Sequence, residues 1–108
     1  MYTEKPIVRF DPAKSERNRE CRGFGFELAE KFEWDSAIVS EDRRRDYGEE
    51  RLQAIGLIGE RLHVMVFTRR FDVLHVISLR KANRRERSRY EAQTKTNQAI
   101  AGKSGVDP

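Results

Sequence analysis

From Leu62 to Phe67 the chain reads Leu-His-Val-Met-Val-Phe, and this run sets the main limit on what it can fold into. As a strand it turns Leu62, Val64 and Val66 to one side and Met65 and Phe67 to the other. A strand that is apolar on both sides belongs at the centre of a sheet, with both faces covered. Leu52 to Ile58 precedes it across a Gly59-Glu60 turn, and Val73 to Leu79 follows a polar-aromatic turn near Arg70, which together predict a three-stranded antiparallel meander. Its faces are expected to be covered by helices on one side and partly by a partner on the other.

The cover comes from the flanking segments. Ile7 to Phe10 predicts a short first strand, after which Asp11 and Pro12 are the cap and first residue of a helix that ends at Gly23. That helix is polar throughout, so it is expected on the surface. Phe26, Leu28, Ala29 and Phe32 recur at helical spacing and predict a second short helix whose apolar stripe anchors both to the sheet. Ala37 to Val39 predicts a weak strand, and Glu41 to Gly48 an exposed loop. After Arg80 the β-branched residues give way to a helix from Asn83 to about Thr96, with Asn83 and Glu86 spaced as a capping box. The expectation is one domain over 1–97 and a disordered tail over 98–108.

Composition narrows the function classes. Charged residues make up 37% of the 108, as many as the hydrophobic ones, so a modest core must sit under a charged skin. The longest apolar run is far short of the roughly 20 residues that span a bilayer, so no membrane segment is expected. No apolar secretory stretch opens the chain, and Cys21 is its single cysteine; both agree with the cytoplasm. The net charge of +4 is concentrated: Arg80 to Glu91 holds six basic residues against two acidic ones, and Arg43, Arg44 and Arg45 form a second basic run. Concentrated positive charge fits a polyanion such as RNA, and equally a solvated helix face.

Several motifs fail on spacing. Gly102-Lys103-Ser104 lacks the earlier glycine of a phosphate-binding loop, where Asn97 stands, and Gly23-Phe24-Gly25 lacks the third glycine of a dinucleotide fingerprint, where Leu28 stands. Cys21, His63 and His75 are too few for a structural zinc site, and no metal or cofactor is expected. Each histidine, alone on its strand, reads first as a hydrogen-bonded structural residue. Charged residues do gather at the strand ends: Gly48-Glu49-Glu50-Arg51 opens one strand, Thr68-Arg69-Arg70 closes the next, and Ser78-Leu79-Arg80-Lys81 closes the third. Antiparallel pairing brings Glu49 to Arg51 beside Arg69, whereas only a bent or barrel-like sheet brings Arg80 close to them.

In order, these segments resemble the BrnT family of ribonuclease toxins from type II toxin–antitoxin modules. The resemblance runs through Phe10-Asp11, Lys14, Asn18, Cys21-Arg22-Gly23 and Phe26-Glu27-Leu28-Ala29, then Gly48-Glu49-Glu50-Arg51 and Ile55-Gly56. It closes on Val66-Phe67-Thr68-Arg69, Ile77-Ser78-Leu79-Arg80-Lys81-Ala82 and Glu86-Arg87-Ser88-Arg89-Tyr90-Glu91, covering Val8 to Glu91. It implies an α+β, RelE-like fold and a metal-independent endoribonuclease that inhibits translation. It also implies a ribbon-helix-helix antitoxin, bound as a heterotetramer that contacts operator DNA only through the antitoxin.

Metal-free RNA cleavage needs a base for the 2′-hydroxyl, cations for the charge that develops at phosphorus, and a proton for the leaving 5′-oxygen. With the resemblance as guide, Glu50 or Glu49 is the expected base, Arg69 and Arg80 the phosphate clamp and Lys81 an assisting cation. Lys14, Arg22, Arg51, Arg84, Arg85 and Tyr90 are expected to bind RNA. The chain departs from the family where Lys-His precedes the glycine: Cys21-Arg22 stands there, so a histidine able to move protons near neutral pH is gone and the general acid is unassigned. A non-catalytic homologue that binds antitoxin and regulates the operon is the alternative.

Overall fold

A computed structural model describes residues 7–42 and 49–105, with the side chains of 95–105 excepted. The elements run β1 (Ile7–Arg9), α1 (Pro12–Arg22), a 3-10 helix (Phe26–Lys31), β2 (Ile38–Glu41), β3 (Leu52–Ile58), β4 (Arg61–Arg70), β5 (Val73–Lys81) and α2 (Arg84–Gly105). The strands form one sheet in the order β1-β5-β4-β3-β2, antiparallel except where β1 lies parallel to β5. β4 is central, as its apolar alternation requires, and Val64 and Met65 are both 0% exposed although they point to opposite faces.

On one face, Met65, Phe67, Ala54, Ile58, Leu74, Val76 and Leu79 pack with Phe26, Ala29 and Phe32 of the 3-10 region. Gly56 lies beneath that cover: a β-carbon there would come within 2.6 Å of the Phe32 ring, so the close approach needs glycine. On the other face Val64, Leu62 and Ile55 pack with Tyr90 of α2. The chain thus covers part of this second face itself, where a partner was expected. Tyr90, expected to bind RNA, is only 8% exposed and serves that core instead.

Helix α1 begins and ends as predicted. Asp11 accepts a hydrogen bond from the Ala13 N–H at 2.9 Å, Pro12 occupies the first turn, and Gly23 at φ 91° donates back to the Arg19 carbonyl. Its inner face is polar rather than apolar. Buried Ser15 accepts from the Phe26 N–H at 2.8 Å, and buried Asn18 donates to the Phe24 carbonyl at 2.8 Å, so hydrogen bonds fix the 23–26 turn against the helix.

Three boundaries differ from expectation. Phe26–Lys31 is a 3-10 helix, with Phe32 already extended and bridging to Ile58. Glu41, expected in an exposed loop, ends β2, and Asp42 is buried with its N–H on the Arg51 carbonyl at 2.7 Å; the rest of that loop, with Arg43, Arg44 and Arg45, lies outside the described residues. Helix α2 continues past Thr96 to Gly105.

The β5 strand carries a bulge. Ser78 lies opposite Val66 while Val76 lies opposite Phe67, which makes Ile77 the extra residue. It reverses the side-chain alternation, so that Leu74, Val76 and Leu79 share one face. In the β4–β5 turn, Phe71 adopts φ 59° and is 99% exposed. A bulky residue in the left-handed region costs about 1–2 kcal/mol, and replacing it with glycine adds roughly 0.5–1 kcal/mol of backbone entropy to be lost on folding. Phe71→Gly is therefore expected to raise stability by up to about 1 kcal/mol, read from the urea midpoint. A lower midpoint would mean that the ring makes a stabilising contact.

Candidate functional site

The bulge decides where the charged side chains at the end of β5 go. Register sets Arg80 opposite Val64 and Lys81 opposite His63. Arg80 consequently faces α2, and Lys81 shares the face of His63, Met65 and the 23–26 turn.

On that face the start of β4 and the end of α1 meet. Arg22 donates to Asn18 Oδ1 at 2.9 Å and to the Leu79 carbonyl at 3.2 Å, which ties the helix end to β5 two residues before Lys81. Phe24 meets the His63 ring edge-to-face with centroids 5.5 Å apart. His63 is 4% exposed, and its Nδ1 lies 2.9 Å from the Arg61 carbonyl. A carbonyl only accepts, so Nδ1 carries the proton and the neutral ring leaves Nε2 as the basic nitrogen. Nε2 has no hydrogen-bond partner among the described residues. Burial pushes the imidazole below its ordinary pKa, the Arg61 carbonyl opposes that shift, and the charges of Lys81 and Arg61 add to it. Sequence reasoning placed His63 among structural residues; its pairing with Lys81 depends on the bulge, which no residue spacing announces.

Arg80 is engaged elsewhere. Its two terminal nitrogens donate to the two carboxylate oxygens of Glu86 at 2.8 and 2.7 Å, and Glu86 also accepts from the Asn83 N–H while Asn83 accepts from the Glu86 N–H. This is the predicted capping box, with Arg80 added to it. Hydrogen bonding by Arg80 holds the Glu86 carboxyl below its ordinary pKa, against the effect of burial.

The expected phosphate clamp is not assembled. Arg69 lies opposite Leu74, five residues along β4 from the position opposite Arg80 and on the other face; the strand rise makes that about 17 Å. The sheet brings the start of β3 to the end of β4 as expected, but the ion pair there joins Glu49 to Arg70 at 3.0 Å rather than to Arg69. Glu50 and Arg69 are exposed, Arg51 half-buried. Exposed Arg84 and Arg85 open α2 just beyond Lys81, and Lys14 is exposed on α1. His75, opposite Thr68, is remote from His63. Among the described residues, no three His, Cys, Asp or Glu side chains gather closely enough to hold a metal ion, and no helix is long and apolar enough to cross a membrane.

The arrangement defines a small α+β protein with a five-stranded, mostly antiparallel sheet and, at one end, a buried histidine with Lys81 and Arg61 as neighbouring charges. The family model for BrnT, the ribonuclease toxin of type II toxin–antitoxin systems, matches residues 10–86, and the chain belongs to that family. No curated protein matches it. As a toxin of such a system it has an antitoxin protein for a partner.

Removing Arg80 strands a largely buried carboxylate, so Arg80→Ala is expected to cost about 1–3 kcal/mol, measured by urea denaturation. An unchanged midpoint would assign Arg80 no part in holding α2. His63 gives a second test. Its pKa is lower folded than unfolded, so the unfolded state binds more protons just below pH 6.5. The stability it contributes is complete above that pH and is lost as pH falls through the window. His63→Gln should flatten the stability slope there; the same slope in both proteins would assign it to other groups.

Proposed function

We propose that this chain is a metal-independent endoribonuclease that cuts RNA and so inhibits translation and growth, acting in the cytoplasm until a ribbon-helix-helix antitoxin neutralises it. The observation that carries the reading is the placement of two cations at the end of β5, Lys81 and, on the Leu79 carbonyl two residues earlier, Arg22, together with family membership. Cations fixed at a strand end can hold a phosphodiester and stabilise charge developing on its oxygens, with no metal needed for that task. Arg84 and Arg85 extend the basic surface for the flanking strand, with Lys14 contributing from α1.

The sites weighed earlier take different parts in this reading. Lys81 and Arg22 bind the scissile phosphate. Arg80, through Glu86, positions the start of α2. Glu49, Glu50, Arg51 and Arg69, at the far end of the sheet, bind more distant RNA or the antitoxin, and Glu50 is the alternative base. The central antiparallel sheet with helices on both faces supports a RelE-like affiliation. The antitoxin complex is a heterotetramer, and operator DNA is reached only through the antitoxin.

The engagement of Arg80 with Glu86 and the presence of Cys21-Arg22 favour a second reading, a homologue that binds antitoxin without cutting RNA. Incubating the purified protein with a defined single-stranded RNA in EDTA separates the two. The nuclease reading expects cleavage that persists in EDTA and stops on adding the antitoxin encoded beside it. Intact RNA with folded, antitoxin-binding protein would establish the non-catalytic homologue.

A further inference from the structure

We propose that the groove between the edge strand β2 and helix α2 is a binding surface for the antitoxin, taking an extended acidic segment of that partner as an added strand beside Ile38–Glu41. The proposal rests on the family's antitoxin partnership and not on whether the chain cuts RNA.

Strand β2 ends the sheet, and among the described residues β3 is its one strand neighbour, so its outer edge presents backbone donors and acceptors. Exposed edges are commonly guarded by a charged residue or a proline, and Ile38-Val39-Ser40 carries neither. Alternation divides the side chains of this edge. Ile38, opposite Ile55, faces α2, whereas Val39, opposite Ala54, faces the other side of the sheet and is 51% exposed. A strand laid along β2 therefore covers apolar surface on both faces at once, which a segment resting on α2 alone does not.

On the α2 side the edge opens into a groove of about 160 Å³ lined by Ile38, Val39, Ser40, Ile55, Arg89 and Gln93. That is smaller than the roughly 300–1,000 Å³ of small-molecule pockets, and suits a partner's side chain better than a free ligand. Glu41, next on the strand, does not line it, so the charge of the lining is that of Arg89. The Arg89 side chain acts on Glu86 through its charge but makes no hydrogen bond or ion pair among the described residues, and the Glu86 carboxylate is already held by Arg80 and the Asn83 N–H. An apolar floor beside an available guanidinium selects a segment that brings an apolar side chain and a carboxylate together. None of the lining residues is aromatic, so the groove offers RNA no ring on which a base could stack. A second copy of the chain would set one Arg89 against another, like charge beside like.

Val39→Lys and Arg89→Glu test the edge and the groove separately. Both side chains are exposed, so neither variant is expected to move the urea midpoint much. A lysine on the edge opposes strand addition and a glutamate at position 89 repels the carboxylate, so each should weaken binding of the antitoxin encoded beside this chain at least about tenfold in Kd, read by calorimetry. A measurement that needs no variant is amide hydrogen exchange, which should slow across Ile38–Glu41 when the antitoxin binds, as new backbone hydrogen bonds form. Folded variants with wild-type affinity, together with unchanged exchange in β2, would overturn the proposal and leave the antitoxin partnership standing. Wild-type protein that does not bind the antitoxin would remove both. With antitoxin affinity intact, self-association abolished by Val39→Lys would give the edge to a second copy, and RNA binding lost in Arg89→Glu would give the groove to RNA; either result overturns the proposal.

Discussion

Everything in this molecule is organised around β4. A strand with buried side chains on both faces cannot be stable until two neighbours and two covers are in place, and each flanking segment provides one of them. β3 and β5 complete its hydrogen bonds, the 3-10 region covers Met65 and Phe67, and Tyr90 covers Val64. Val64 and Met65 are both fully enclosed, so the two faces are coupled through adjacent residues of one strand. Disturbing α2 on one side therefore bears on how the site residues at the start of β4 are held on the other.

The bulge at Ile77 is the second constraint, and it connects packing to chemistry. It lets Leu79 join Val76 in the core beneath the 3-10 helix, which a regular strand would turn the opposite way. The same reversal turns Lys81 toward His63 and Arg80 toward α2. One inserted residue thus divides two neighbouring cations between two places, one beside His63 and the other in a helix cap.

Much of this was legible in the sequence where a local rule applied. The Asp11-Pro12 start and Gly23 stop of α1, the meander from Leu52 to Leu79 and the pairing of Asn83 with Glu86 all follow from spacing and turn chemistry, and the structure has them. What escaped was non-local. A polar helix reads as a surface helix, yet Ser15 and Asn18 are buried because they hold a turn by hydrogen bonds. Tyr90 reads as part of a basic RNA-binding helix, and only the placement of α2 over Ile55 and Leu62 shows it to be core. Arg69 and Arg80 read as equivalent strand-end arginines, and nothing short of the register separates their ends and faces of the sheet.

The charges at this end of the sheet also differ in what they can do. Arginine at position 22 holds positive charge at the end of α1 but cannot exchange protons near neutrality. The imidazole on the same face of the sheet is His63, whose Nδ1 lies on the Arg61 carbonyl and whose strand position is opposite Lys81. Burial first, and the charges of Lys81 and Arg61 after it, disfavour its imidazolium, so the fold itself favours the neutral ring.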